Sequence, residues 1–203
     1  SHSATLGIYY TDILIEGNVF ENLDDVAMIM YNYKNCTITN NTITNCASGI
    51  EFKAMSSLPN NNFNPPVVKS MEEAVDGFED DANSVISSNT ISVSGDDEYG
   101  ITSGIRLTGY EVKDNGVIPD YNFRVARVKI LENRIESNGT TIALNDAKNC
   151  SIESNILVTK QDGVNYKDKN GLTLNECDNI KITDNYISGS ARNGASVTDS
   201  SGN

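Results

Sequence analysis

Between Cys36 and Asn45 the chain reads Cys-Thr-Ile-Thr-Asn-Asn-Thr-Ile-Thr-Asn, two isolated isoleucines in a field of threonine and asparagine. The same phrase, apolar-x-x-Asn-x-apolar, recurs in residues 13–20, 84–91, 128–135, 150–157 and 180–187. It aligns Ile15, Ile38, Ile86, Ile130, Ile152 and Ile182 in one column and Asn18, Asn41, Asn89, Asn133, Asn155 and Asn185 in another. A second phrase precedes most copies: Gly7-Ile-Tyr-Tyr10, Ala27-Met-Ile-Met30, Gly49-Ile-Glu-Phe52, Gly104-Ile-Arg-Leu107, Thr141-Ile-Ala-Leu144 and Gly171-Leu-Thr-Leu174. Alternation with period two predicts at least two short strands in every repeat.

Asn18 to Asn41 is 23 residues, Asn133 to Asn155 is 22 and Asn155 to Asn185 is 30; the steps of 48 and 44 between them contain insertions. A period in the low twenties, rich in β-branched residues and turn formers and lacking a helical stripe, predicts an all-β solenoid of short parallel strands. At about 3.3 Å per residue, three strands of four or five residues plus their turns use up one repeat. Asparagine suits the bends, because its short amide tolerates left-handed backbone and bonds nearby main chain. Stacked coils then let these amides pair along the axis. The Leu-x-x-Leu-x-Leu signature of leucine-rich repeats is absent.

The phrase resembles the interior asparagine ladder of the right-handed parallel β-helix in the pectate-lyase-like superfamily, over about residues 6–203 apart from the insertions. The resemblance implies a right-handed parallel β-helix of about six to seven coils with loop and short-helix insertions. Pectin-cleaving lyases and hydrolases, alginate epimerases and bacteriophage tailspikes or appendages share that fold. It therefore implies an extracellular or virion location, a polysaccharide or cell-surface glycan as partner, and a homotrimer in the phage members.

Composition narrows this picture. A chain of 203 residues with 38% hydrophobic content fits a single β-helix domain, residues 1–203, with a narrow aliphatic core. The formal charge of −13, from 28 acidic and 15 basic residues, argues against nucleic acid. An anionic polysaccharide would be repelled too, unless cations or a local basic patch intervene. No apolar run approaches the roughly 18 residues of a membrane span. The chain starts inside one repeat and stops where the next phrase would begin, which predicts a fragment of a longer chain or ends covered by partner chains. Cys36, Cys46, Cys150 and Cys177 have no metal-binding spacing; Cys36 and Cys150 share an inward position and read as buried thiols, with a disulfide as the alternative. His2 is the only histidine, so chemistry that needs an imidazole is disfavoured.

Three interruptions, residues 55–82, 108–125 and 160–170, break the regularity. Insertions in a solenoid collect on one face, often the functional one. The first follows Gly49-Ile-Glu-Phe52 and the second follows Gly104-Ile-Arg-Leu107, so both leave the same edge of one sheet. In the first, Ser70 and Glu73 form a capping box ahead of Met71, Ala74, Val75 and Phe78, which predicts a short helix. Its acidic end, Glu79-Asp-Asp81, is either solvated or a Ca²⁺ ligand cluster. In the second, Tyr110 and Tyr121 either stack against sugar rings as substrate-binding residues or pack on their own loop.

If Ile50 and Phe52 face inward, Glu51 and Lys53 face outward, and by the same rule so does Arg106. Glu51 and Arg106 then share one outward column, about 4.8 Å apart on neighbouring coils, with Tyr9, Ile29, Ala143, Thr173 and Ser196 elsewhere in it. Two roles remain open. One is an exposed salt bridge of about 0–1 kcal/mol. The other is a saccharide groove in which Glu51 is acid or base, Arg106 holds a carboxylate or phosphate, and Lys53 contacts the substrate.

Asp24 and Asp25 stand at the start of the preceding strand and resemble the Asp-Asp motif of polygalacturonase-type glycosidases, although the Gly-His-Gly and Arg-Ile-Lys motifs are missing. Asp25 close to Glu51 would make a two-carboxylate glycosidase site. Asp96, Asp97 and Glu98 enter the Arg106 strand and are the candidate ligands for the calcium that pectate lyases use. The expectation is a glycan-binding and glycan-cleaving β-helix, hydrolase or lyase, with its groove at Glu51 and Arg106. The alternatives are a noncatalytic receptor-binding or structural β-helix and a uronate epimerase.

Overall fold

The computed structural model describes residues 4–6, 11–31, 33–54, 83–95, 102–112, 121–160, 169–189 and 192–202. Their strands form three long sheets, parallel throughout. The longest has seven strands, Ala4–Leu6, Val26–Tyr31, Ser48–Lys53, Ser103–Thr108, Thr140–Asn145, Asn170–Asn175 and Asn193–Thr198. The second has six, Leu14–Glu16, Thr37–Thr39, Ser84–Ser87, Val128–Leu131, Ser151–Glu153 and Lys181–Thr183. The third also has six, Val19–Glu21, Thr42–Cys46, Thr90–Val93, Arg134–Ser137, Ile156–Thr159 and Tyr186–Ser188. The chain visits each sheet once per turn and pairs every strand with its counterpart on the next coil, which makes a right-handed parallel β-helix of about six coils. No helix occurs among the described residues; the capping-box segment at 70–78 lies outside them.

The expected isoleucine column is present as consecutive register partners, Ile15, Ile38, Ile86, Ile130, Ile152 and Ile182. Phe20, Ile43, Ile91, Ile135, Leu157 and Ile187 form its counterpart in the third sheet. Met30, Phe52, Leu107, Leu144 and Leu174 fill the core from the long sheet, while Val197, the next register partner, is exposed. The middle coils bury these side chains fully, each contributing about 1.5–3 kcal/mol. Tyr33 adds a ring at a corner, 4.1 Å from the Phe52 centroid and tilted by 51°.

The asparagine column forms a continuous ladder between the second and third sheets. The backbone N–H and side-chain Nδ2 of Asn41 both donate to Oδ1 of Asn89, at 2.9 and 3.0 Å. Asn89 does the same to Asn133, Asn133 to Asn155, and Asn155 to Asn185, while Asn18 does so to Asn41. Each inner Nδ2 also donates to a carbonyl on the preceding coil, that of Ile15, Ile38, Ile86 or Ile130. A buried amide is thereby satisfied on both sides, and it satisfies the main chain of the bend.

The left-handed residue of this bend is not the ladder asparagine, as the sequence suggests, but the one before it. Gly17, Asn40, Ser88, Glu132, Ser154 and Asp184 have φ between 53° and 68°. Left-handed backbone costs a non-glycine residue about 1–2 kcal/mol. The bonds made by the following asparagine offset that cost, so a glutamate and two serines are tolerated at the position. Glycine has a different purpose in the long sheet: a Cβ on Gly49 would lie 2.2 Å from the Gly104 carbonyl oxygen, and one on Gly104 2.2 Å from Ile135 Cγ2. Two more expectations are corrected. The first strand is Ala4–Leu6, so Thr5 rather than Tyr9 is the register partner of Ile29, and residues 7–10 are outside the described set. Part of the second insertion is an antiparallel hairpin, Tyr110–Val112 with Tyr121–Phe123.

All four cysteines are buried free thiols, so the disulfide alternative falls away. Burial pushes the Cys150 thiol up to about 12. At pH 8 that leaves about one thiolate in ten thousand. We expect an alkylating reagent at pH 8 to leave Cys150 unmodified in the native protein and to modify it in denaturant; peptide mapping that finds native Cys150 alkylated would contradict its burial. Asn133→Ala removes the acceptor of two Asn89 donors and the donor to Ile86, and each buried group left unpaired costs about 1–3 kcal/mol. Urea unfolding should register a loss of about 3 kcal/mol or more, and a loss below about 1 kcal/mol would refute the ladder's role.

Candidate functional site

The strands Ser48–Lys53 and Ser103–Thr108 lie side by side, with Glu51 and Arg106 as register partners. Ile50 and Phe52 face inward on one strand and Ile105 and Leu107 on the other, which turns both charged residues to the outer face. Their guanidinium and carboxylate meet as a fork. Arg106 Nε donates to Glu51 Oε1 and Arg106 Nη2 to Glu51 Oε2, each at 3.0 Å. Thr108, two residues along the same strand, donates from Oγ1 to Glu51 Oε1 at 3.1 Å.

The outward column is the one expected, Ile29, Glu51, Arg106, Ala143, Thr173 and Ser196, and the backbone of Thr5 rather than Tyr9 lies opposite Ile29. Its exposure differs from the expectation. Glu51 is 2% exposed, Arg106 6% and Ile29 5%, so the pair is buried rather than a surface bridge. Two charges removed from water need every bond they make, and a bidentate pair with a supporting hydroxyl supplies the geometry.

The other candidates are dispersed. Lys53 is half-buried in the next outward position, between Tyr31 and Thr108 in the register. Asp25 is half-buried and its Oδ1 accepts from the Val26 N–H at 2.8 Å, closing the start of the strand. Val26 pairs with Ser48 and Ile29 with Glu51, so Asp25 stands four residues, about 13 Å, along the sheet from the Glu51 position. The carboxylates of a glycosidase lie about 5–9.5 Å apart, and this register does not bring the two together. Asp24 is exposed and lines a shallow concavity of about 310 Å³ with Asn22, Asn45 and Ser94. The hairpin sets the backbone of Tyr110 opposite Phe123 and that of Tyr121 opposite Val112. Asp96, Asp97 and Glu98 lie outside the described residues, as do residues 55–82 and 161–168. Among the described residues no three His, Cys, Asp or Glu side chains are grouped as a metal site.

Apart from Lys53, which the sequence already offers as a substrate contact, the residues that sequence reasoning missed lie two positions beyond the charged column. Tyr31, Lys53, Thr108, Asn145, Asn175 and Thr198 are consecutive register partners on the outer face of the long sheet. At about 4.8 Å per coil they make a polar row about 24 Å long. The signal was in the chain, since each residue directly follows the last inward residue of its strand, but it is read only after the strands are paired. A separate, half-buried cluster marks the third sheet: Lys160 Nζ donates to Ser92 Oγ at 2.9 Å and meets Glu136 at 3.2 Å, while the exposed Arg134 meets Glu136 at 2.7 Å. The Lys160 hydrogen bond leads the causes that hold the Glu136 carboxyl below its usual range.

The chain matches no protein-family model, no curated protein and no solved structure. No helix among the described residues is long and apolar enough to cross a membrane.

Removing one member of a buried ion pair strands the other charge at a cost of about 3–5 kcal/mol, whereas replacing both with apolar residues of similar volume is often near neutral. Glu51→Leu and Arg106→Met should each destabilise by that amount in urea unfolding, and the double variant by clearly less than either. Additive losses would contradict an energetic coupling between the two.

Proposed function

We propose that this β-helix is an extracellular or virion-borne polysaccharide-binding protein that holds its glycan, without cleaving it, along the row from Tyr31 to Thr198. The row itself carries the reading. Five coils in succession, from Lys53 to Thr198, place an ammonium, hydroxyl or amide at the same outward position, at one coil spacing. Hydroxyls and amides both donate and accept, as sugar hydroxyls do, and Tyr31 ends the row with a ring that can lie against a sugar's apolar face. Lys53 keeps the substrate-contact role that the sequence assigns to it. The hairpin bearing Tyr110 and Tyr121 leaves the sheet directly after Thr108, which puts its backbone beside the row.

Binding without cleavage is favoured by the condition of Glu51. A general acid or base must reach the proton that it moves. Both oxygens of Glu51 are occupied, by Arg106 and Thr108, at 2% exposure.

A glycan screen on the intact protein tests this reading. Oligosaccharides should be retained with no new reducing or unsaturated ends, and Asn145→Ala/Asn175→Ala should weaken retention about tenfold or more, the equivalent of about 1.4 kcal/mol. Release of such ends by the parent, abolished in Glu51→Gln, would replace this reading with a depolymerase. Retention of no glycan would remove it.

A further inference from the structure

Asparagines on successive coils pair their amides at several places on the surface of this molecule. Asn45 Nδ2 donates to Asn22 Oδ1 at 2.6 Å, Asn179 Nδ2 to Asn149 Oδ1 at 2.7 Å and Asn193 Nδ2 to Asn170 Oδ1 at 3.1 Å. In-register amides gain from such a ladder. Asn145 and Asn175 are register partners too, on neighbouring strands of the long sheet, yet neither side chain makes a hydrogen bond among the described residues. Both are half-buried and stand in the outward row. Each amide therefore keeps two donors and an acceptor for a ligand that takes the place of water.

The neighbouring outward column leaves space for that ligand. On the coils of Asn145, Asn175 and Thr198 it carries Ala143, Thr173 and Ser196, all small side chains. A flat ring can lie over them with its edge hydroxyls within reach of the amides. The row also keeps step: from Lys53 to Thr198 the partners follow one another without a register shift, each about 4.8 Å beyond the last. A pyranose joined through equatorial bonds at opposite ends of its ring advances by close to one such step per sugar, and its chain stays extended. An axial bond at one end turns each sugar against the last, so the chain curls away from a straight row.

Resting on the proposal that the row from Tyr31 to Thr198 binds glycan, we infer that its ligand is a β-1,4-linked chain of equatorially joined pyranoses. The chain lies along the helix axis with one sugar per coil, and Asn145 and Asn175 hold adjacent sugars. Their amides bond to the hydroxyls at the ring edges, and the rings lie over Ala143, Thr173 and Ser196.

Cello-, manno- and xylo-oligosaccharides, all β-1,4-linked, and the α-1,4-linked malto-oligosaccharides, titrated calorimetrically into the intact protein, test linkage and length together. The tightest β-1,4 series should gain about threefold per added sugar, the effect of one net hydrogen bond, and level off at about five sugars, one for each coil from Lys53 to Thr198. Malto-oligosaccharides of equal length should bind about tenfold more weakly or less. Asn175→Ala should weaken the five-sugar ligand about threefold with an unchanged melting temperature, because the amide holds nothing within the protein. Asn149→Ala, at a corner of the second sheet, should leave binding unchanged. The inference is overturned if affinity levels off at two or three sugars, if maltohexaose binds as tightly as the β-1,4 hexaose, if Asn175→Ala binds as the parent does, or if Asn149→Ala loses as much. Retention of other glycans in the screen, with none of the three β-1,4 series bound, overturns the linkage and leaves glycan binding by the row standing. Retention of no glycan at all removes both.

Discussion

Every column in this molecule depends on the bond from one asparagine to the next. Asn41, Asn89, Asn133 and Asn155 are buried at the bend between the second and third sheets, where an unpaired amide would cost about 1–3 kcal/mol per group. The arrangement that satisfies both ends of each inner amide puts the next coil's asparagine directly above it. A shift by one residue would break the chain of bonds and turn the core isoleucines outward at the same time. The ladder and the aliphatic stack, both buried, therefore enforce one register together.

With the register fixed, the outer surface becomes a set of rows. What a row presents is decided coil by coil, by whichever residue stands at that position. This is how Glu51 and Arg106, 55 residues apart in the chain, come to share a bidentate contact. It is also how Lys129 and Lys181, 52 residues apart in the chain, come to stand two coils apart on one outward column. In both cases the relation is set along the axis, at about 4.8 Å per coil, rather than along the chain.

The outer surface carries two kinds of row with different chemistry. The long sheet has a row of mostly neutral hydroxyls and amides beside the buried ion pair of Glu51 and Arg106. The second sheet sets Lys129 and Lys181 on one outward column, where Lys181 meets Glu153 at 3.4 Å. On the proposed reading an extended polymer is the ligand, because a repeating ligand and a repeating protein can meet at many weak points. The buried pair fits a supporting role better than a reacting one, since its carboxylate has no free oxygen to offer.

The sequence by itself determined the coil. Isolated isoleucines around an asparagine, repeated every 22 or 23 residues where no insertion intervenes, carry both the inward column and the ladder, and the shared outward column of Glu51 and Arg106 follows from alternation alone. Those features are local and periodic, so the chain displays them in order. Tertiary structure decided what periodicity does not encode. It placed the left-handed residue one position before the ladder asparagine, because the bend is stabilised by bonds that the next coil supplies. It started the first strand at Ala4 rather than Gly7. It buried Glu51 and Arg106 and brought in Thr108 as their third partner, and it put Asp25 four residues from the Glu51 position. Burial and distance on a solenoid depend on which coils become neighbours and on what lies over them, and both are settled only when the chain has wound.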